Sequence, residues 1–240
     1  MSIKNIKINK LIKYYSLINF DLIYSNKAIN RYKKNNNYND SNQSKDLKDL
    51  ERLIANVKNC ELKKNATNLV FADGNLESNI MIVGEGPGAN EDKEGLPFVG
   101  RAGQLLDKML ESINLDRKNV YITNVVNYRP PQNRKPTDKE ILKYLPFLKR
   151  HIEIISPKIL ILLGSTALNS IIGNKEVISK ARGKWNKLKI GKSSPFVIAS
   201  FHPAFLMRQP EQKKMAWTDL KMIRKKILEL GIKIDKFPEE

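Results

Sequence analysis

The stretch NIMIVGEGPGANED, residues 79–92, places an apolar run directly before a loop rich in glycine and proline. Such a run is typical of a buried parallel strand, and the loop follows its carboxyl end. Glycine-rich loops in this position often bind phosphate, but this one carries Glu85 and Glu91 and lacks the lysine and hydroxyl of a P-loop. We therefore expect the loop to approach a neutral or weakly anionic ring, and its acids to act on water or on a developing cation.

Three more apolar runs resemble the first and alternate with helical patterns. The four runs are IMIV (80–83), VYITNVV (120–126), ILILL (159–163) and FVIAS (196–200). Helical patterns follow them over residues 102–113, 138–155, 165–172 and 212–230. Strand alternating with helix predicts an α/β fold, a three-layer α/β/α sandwich around a four-stranded parallel sheet.

The first 45 residues differ from the rest of the chain. Residues 6–24 have the loose spacing of an amphipathic helix, which we expect to dock on the domain, and residues 31–44 have the composition of a flexible linker. A helical pattern with one apolar face resumes at residue 45. The sequence therefore predicts an N-terminal amphipathic segment and linker over residues 1–45 and one domain over residues 46–236.

The charge balance is strongly basic, with 43 Lys and Arg against 25 Asp and Glu and a net charge of +18. This favours a polyanionic partner, nucleic acid before an anionic membrane, although a coding bias toward Lys, Asn and Ile produces the same composition. A single cysteine, Cys60, excludes an internal disulfide and fits a reducing compartment. No apolar run has the length of a membrane span. We expect a cytoplasmic monomer that does not bind a membrane.

Each predicted strand carries a distinctive signature at or near its carboxyl end. The signatures are GEGPG after the first strand, Asn124 within the second, LGST after the third and FHPA after the fourth. Ligands of open α/β sheets bind at this edge. The four signatures therefore predict one shared site.

Four motifs of this chain resemble, in order, those of the family 4 uracil-DNA glycosylases. They are VGEGPGANEDKEGLPFVGRAGQLLDKML (83–110), VYITNVVNYRPPQNRKPT (120–137), ILILLGSTAL (159–168) and SFHPAFLMR (200–208). The resemblance runs from about Cys60 to the last helix, and the ordered set is far more specific than any single motif. It implies a monofunctional enzyme that extrudes deoxyuridine from DNA, releases uracil, leaves an abasic site and initiates base-excision repair.

The resemblance implies a uracil pocket. Phe98 is similar to the ring that stacks on the flipped base, although a phenylalanine in GLPFVG taken alone is more often a core residue. The Asn124 carboxamide can accept from uracil N3–H and donate to O4, which rejects cytosine. A neutral His202 donating to O2 stabilises the departing anion, and backbone amides around Gly86 and Gly88 add to this effect.

The two acids fit the sugar side of the reaction. Departure of the base leaves an oxocarbenium-like sugar, which a carboxylate stabilises and a water attacks. Glu85 is the first candidate for this catalytic role and Glu91 the second. Glu91 resembles a family acid that pairs with an asparagine, here Asn133, in support of the loop or the water. Related family 1 enzymes carry an aspartate and a tyrosine where Gly86 and Gly88 stand, so water activation and thymine exclusion are left open.

Basic and apolar residues on predicted loops near this edge suit DNA binding. One of Phe205, Leu206 and Met207 is expected to wedge into the space left by the flipped base. Cations suited to phosphate contacts are Arg129, Arg134, Lys135, Arg182, Lys184 and Arg208. Each cation alone is more often a solvated surface charge, but together they form a plausible track for the DNA backbone.

Polar residues elsewhere have structural interpretations. Ser165 and Thr166 open a helical pattern and are expected to cap that helix. His151 lies inside another helical pattern and is expected on the surface of that helix.

The chain departs from the family at the iron–sulfur cluster. Family 4 enzymes generally hold a 4Fe-4S cluster with four cysteines, and the corresponding positions here are Val57, Cys60, Tyr128 and Tyr144. One thiolate does not hold a cubane cluster. The sequence therefore predicts no cluster and no other metal, with apolar and aromatic packing in that volume.

Two alternatives to an enzyme remain. A covalent uracil-DNA trap of this superfamily uses a histidine in the basic loop before the fourth strand, and SKARGKWNK (179–187) has none. A non-catalytic uracil- or DNA-binding module of the same fold is favoured by the missing cluster ligands and opposed by the retained pocket residues.

Overall fold

The computed structural model describes residues 42–173 and 176–234. The helix expected over residues 6–24 lies outside them. The helices, in chain order, are α1 (Asn42–Ala55), α2 (Glu61–Asn65), α3 (Ala89–Glu94), α4 (Arg101–Glu111), α5 (Asp138–Ile155), α6 (Ser165–Ile172), α7 (Ile178–Ala181), α8 (Pro203–Arg208) and α9 (Lys213–Glu229). The strands are β1 (Asp73–Gly74), β2 (Ile80–Gly84), β3 (Tyr121–Asn124), β4 (Ile159–Leu163), β5 (Trp185–Lys187) and β6 (Phe196–Ser200).

These strands form one sheet in the order β1-β3-β2-β4-β6-β5. Its parallel centre, β3-β2-β4-β6, consists of the four predicted apolar runs, so the predicted parallel strands are confirmed. The sequence pattern did not reveal β1 and β5, which pair antiparallel at the two edges. Both are very short and partly exposed, and therefore lack the apolar run by which the central strands were recognised.

Two apolar layers cover the sheet, because successive side chains of a strand point to opposite faces. Met81 and Val83 of β2 belong to the cluster that includes residues of α1, α5 and α6. Ile80 and Ile82 belong to the cluster that includes residues of α4 and α9. The α/β/α sandwich is thereby confirmed. None of the helices in the described ranges combines the length and the apolarity that crossing a membrane requires.

His151 belongs to the core, and the expectation that it lies on the surface of its helix is wrong. Its side chain is 2% exposed, its ring stacks on Phe71 at 4.6 Å, and its Nε2 lies 2.7 Å from Oη of Tyr121. Burial lowers the pKa of His151 to about 3. The imidazole is therefore neutral at pH 7 and serves as an aromatic core residue with one polar contact.

Candidate functional site

Residues at or after the carboxyl ends of β2, β3 and β6 line a cavity of about 180 Å³. Most of the residues that the sequence assigns to one site line it. They are Glu85, Gly86, Glu91, Phe98, Asn124, Asn133, Arg134 and His202. Three of the four predicted signatures thus line one cavity, and the fourth, LGST, lies beside it, where Gly164 and Ser165 line a second cavity.

Close packing at Gly84 brings two side chains that line the cavity together. Parallel pairing of β2 with β3 sets Gly84 beside Asn124. A Cβ on Gly84 would collide with the carboxamide of Asn124 and with the ring of Phe98. Only glycine therefore permits this ring and this amide to approach the same point of the strand end.

Phe98 and Asn124 present an aromatic face and an amide to the cavity. Phe98 is 5% exposed, has a left-handed backbone with φ of 55°, and stacks with the ring of His202 at 5.6 Å. Asn124 is 3% exposed at the end of β3. Among the described residues, no hydrogen-bond partner occupies its carboxamide, so its donor and acceptor remain available to a ligand in the cavity.

His202 begins α8 as its N-cap residue, and Pro203 at the first helical position fixes the turn. Its Nδ1 accepts the backbone N–H of Ala204 at 3.2 Å. Burial and then the charge of Arg208 lower the pKa of His202 to about 4, while Glu91 acts in the opposite direction. The imidazole is therefore neutral at pH 7, and with Nδ1 accepting, its proton resides on Nε2.

The carboxylate of Glu91 is used within the protein. Its two oxygens accept the backbone N–H groups of Gly88, at 3.1 Å, and Gly100, at 2.8 Å. The expected pair with Asn133 is not formed, because Oδ1 of Asn133 accepts instead from Nε of Arg129 at 2.8 Å. Glu91 thus ties the loop after β2 to the start of α4.

Glu85 is anchored differently. The hydroxyl of Thr166 donates to Oε2 of Glu85, whose side chain is partly buried. The sequence predicts that Ser165 or Thr166 caps α6, and this is wrong, because the N-cap of that helix is Gly164 and no side chain caps it. The sequence signal for this contact was limited to the position of LGST at the same edge of the sheet.

The candidate DNA-binding residues divide into three groups, which are exposed, partly committed within the protein, or buried. Lys135, Lys184 and Arg208 are exposed. Lys135 and Arg208 also line a second cavity of about 420 Å³, which shares Glu85 and His202 with the first.

Arg129 and Arg134 are partly committed within the protein. Arg134 makes two hydrogen bonds with Glu140, at 2.7 and 2.8 Å, and keeps 40% of its side chain exposed. Arg129 bonds Asn133 and lies 4.0 Å from Asp92.

Two predicted DNA contacts are contradicted by the burial of their side chains. The side chain of Arg182 is 9% exposed and paired with the fully buried Asp219, with Nε 2.9 Å from Oδ2, so it faces the interior rather than a phosphate. Leu206 is 1% exposed and packs in the core. Phe205 and Met207, which flank it on α8, keep partial exposure and remain the candidates for a wedge.

The positions at which a family cluster would be bound do not suit one. Sγ of Cys60 lies 3.2 Å from Oη of Tyr144, and both side chains are buried. Tyr128 belongs to the same core cluster, and Val57 packs against it. Burial raises the pKa of both tyrosines. In the described part of the chain, no three His, Cys, Asp or Glu side chains are grouped to hold a metal ion.

Comparison with known proteins gives consistent results. The family model of the uracil DNA glycosylase superfamily matches residues 71–221. A type-4 uracil-DNA glycosylase of Thermotoga maritima is 48% identical over 150 residues, covering 62% of this chain and 77% of the relative. One of Sulfurisphaera tokodaii is 42% identical over 183 residues, covering 74% and 83%. One of Archaeoglobus fulgidus is 40% identical over 181 residues, covering 74% and 91%. The chain belongs to the uracil DNA glycosylase superfamily and, within it, to the type-4 family.

Proposed function

We propose that the protein is a monofunctional uracil-DNA glycosylase. It hydrolyses the N-glycosidic bond of deoxyuridine in DNA, releases uracil, leaves an abasic site and so initiates base-excision repair. Family membership supports the reaction class. The observation that carries the proposal is one cavity in which an aromatic ring, an unpartnered carboxamide and a neutral imidazole lie together. We expect the enzyme to act as a monomer in the cytoplasm.

Uracil is selected by stacking and by one amide. The base enters the cavity after extrusion from the strand and lies against Phe98, a contact worth roughly 1–3 kcal/mol. The carboxamide of Asn124 accepts from N3–H and donates to O4. Cytosine presents the reversed donor and acceptor, so its binding leaves buried polar groups without partners.

The leaving uracil anion is stabilised by donors that are already in place. Because Nδ1 of His202 is occupied by the Ala204 amide, Nε2–H is the donor available to O2 of the base. The negative charge on O2 grows as the glycosidic bond breaks, so this hydrogen bond strengthens in the transition state. Backbone amides beside Gly86 add to the same stabilisation. A low histidine pKa suits this role, because the donor is Nε2–H of the neutral imidazole, and the ring does not have to bind a second proton before it can donate.

Glu85 acts on the sugar side. Thr166 holds Oε2, which leaves Oε1 to orient the attacking water or to offset the oxocarbenium charge. Glu91 is the weaker candidate, because both of its oxygens already accept backbone N–H groups. We assign it the support of the loop and a part in excluding thymine. Its Oε2 would lie 2.8 Å from a Cβ on Gly88, and so the carboxylate fills the space beside that glycine.

We also propose that the enzyme works without an iron–sulfur cluster. The support is the contact between Cys60 and Tyr144, which uses the single thiol at those positions. A packed thiol, two phenols and the side chain of Val57 replace four thiolates, and fix the same loops by burial of side chains.

The test is single-turnover cleavage of a uracil-containing oligonucleotide, with alkali to reveal abasic sites and an iron assay on the same preparation. We expect cleavage by the wild type without iron, and a loss of about 100-fold or more in His202→Ala and Asn124→Ala. Lys192→Ala, an exposed change on a distant turn, serves as the control. Tight uracil-DNA binding without cleavage would instead identify a non-catalytic module, and a denaturant-resistant adduct a covalent trap.

A further inference from the structure

Arg117 lies in the turn between α4 and β3, outside the lining of the first cavity. Its guanidinium nevertheless donates to the backbone carbonyls of Pro97, at 3.1 Å, and of Phe98. We propose that Arg117 is a positioning residue for Phe98 and holds its ring in the place where an extruded uracil stacks. This inference rests on the proposed function, because it assigns Phe98 to the stacking of the base.

The backbone of Phe98 needs external support. Its φ of 55° lies in the left-handed region, which bulky L-residues seldom adopt. Such conformations persist where the surrounding structure determines them more strongly than local preference does. The local sequence LPFV does not itself favour a positive φ, since neither Phe98 nor its immediate neighbours are glycine.

Two groups hold the carbonyl of Phe98 from different elements. A Cβ on Gly103 of α4 would collide with this carbonyl oxygen, so the helix approaches the loop as closely as the chain permits. The guanidinium of Arg117 donates to the same oxygen. Because Arg117 also binds the Pro97 carbonyl, the peptide planes on both sides of Phe98 are held, and with them the φ and ψ of the residue and the direction of its Cα–Cβ bond.

Arg117 is itself held by two carboxylates. Its Nη1 lies 2.6 Å from Oδ2 of Asp73, and its Nε lies 2.9 Å from Oδ1 of Asp107. Asp73 belongs to β1 and Asp107 to α4, so the planar guanidinium is braced between an edge strand and a helix. A lysine cannot reproduce this arrangement, because a single ammonium group lacks the rigid fork of donors.

The consequence for catalysis is selective. Removal of the guanidinium releases the Pro97 and Phe98 carbonyls but touches neither His202 nor Glu85. Stacking of the base, and hence the extruded state, is expected to weaken, while His202 and Glu85 keep the hydrogen bonds to Ala204 and Thr166 that hold them.

A double-mutant cycle tests this inference. Arg117→Met is made in the wild type and in Phe98→Ala, and single-turnover cleavage is measured together with the fluorescence of a 2-aminopurine placed beside the uracil. We expect Arg117→Met to reduce the rate and the extrusion signal about tenfold in the wild type, and less than about twofold in Phe98→Ala, because the ring through which Arg117 acts is then absent.

Controls separate this role from a general loss of structure. Lys118→Met removes the neighbouring exposed cation and is expected to retain wild-type rates. Arg117→Lys keeps a positive charge beside Asp73 and Asp107, and is expected to show the same coupling to Phe98; it carries the cycle if Arg117→Met does not fold. Equal losses in both backgrounds would overturn the positioning role. Absence of cleavage by the wild type would refute the proposed function instead.

Discussion

At the residue scale, the candidate site depends on which polar atoms are already occupied. The Ala204 amide occupies Nδ1 of His202, and two backbone amides occupy Glu91. The carboxamide of Asn124 and one oxygen of Glu85 stay open toward the cavity. These occupied and open atoms give a physical reason for the order of the two acids, with Glu85 first and Glu91 second, that the sequence alone supports only weakly.

The hydroxyl of Thr166 is expected to matter for catalysis through Glu85. Thr166→Val removes the donor at nearly constant volume, and should lower the single-turnover rate about tenfold or more, since a hydrogen bond to a charged group is worth about 1.5–3 kcal/mol. Thr166→Ser retains the hydroxyl and is the matched control. The rate is measured in the wild type and in Glu85→Gln. If Thr166→Val lowers the rate as much in Glu85→Gln as in the wild type, the hydroxyl does not act through this carboxylate.

The buried His151 predicts a loss of stability in acid. Its pKa is about 3 in the folded protein, below the usual value near 6.5, so the unfolded chain binds the proton first as the pH falls. The contribution of the neutral imidazole to the unfolding free energy is fully present above about pH 6.5 and is lost as the pH falls toward 3. At about pH 4.5 the loss is roughly 2–3 kcal/mol. Urea unfolding of the wild type and His151→Leu at pH 7 and at about pH 4.5 measures this. The variant should lose less stability between the two pH values, and an equal loss would contradict the assignment.

At the element scale, α5 holds the region where the family binds a cluster. Tyr144 on this helix is fully buried, and its hydroxyl meets the thiol of Cys60, which precedes α2. The contact spans 84 residues of sequence and joins the N-terminal helices to α5. One aromatic side chain thus connects segments that a metal cluster would otherwise hold.

Tyr144 substitutions test this packing. Tyr144→Ala leaves a cavity beside Cys60 and Phe147 and is expected to cost about 3–5 kcal/mol of unfolding free energy. Tyr144→Phe removes only the hydroxyl and should cost about 1 kcal/mol. Urea denaturation measures both values, with cleavage rates and an iron chelator tested on Tyr144→Phe. A rate that falls on chelation of iron would contradict the cluster-free assignment.

At the scale of the whole molecule, apolar runs predicted the central sheet well because each run is itself the buried strand. The sequence does not predict edge strands β1 and β5, because two or three partly exposed residues form neither an apolar run nor an alternating pattern. The sequence does not predict the contacts of Arg117, because its partners lie 10 to 44 residues away in other elements. The apolar run that contains Leu206 did not indicate which of its side chains enters the core, since adjacent residues of a helix point in different directions.

The net charge of +18 predicts salt-dependent DNA binding, and the structure shows which of the predicted cations are exposed. Exposed Lys184 and Arg208 are free to meet phosphates, whereas Arg182 faces buried Asp219. Lys184→Ala and Arg208→Ala should each reduce the steepness of the negative slope of log affinity against log salt by about 1. The reason is that a phosphate that the protein no longer neutralises keeps its counterion.

Arg182→Ala is the control. It should lower the unfolding free energy by about 3–5 kcal/mol, since it leaves a buried carboxylate without its partner, and it should leave that slope unchanged. Binding is measured on a uracil-free duplex, so that cleavage does not interfere. A change of slope with Arg182→Ala, in protein that remains folded, would mean that this side chain leaves Asp219 for the DNA.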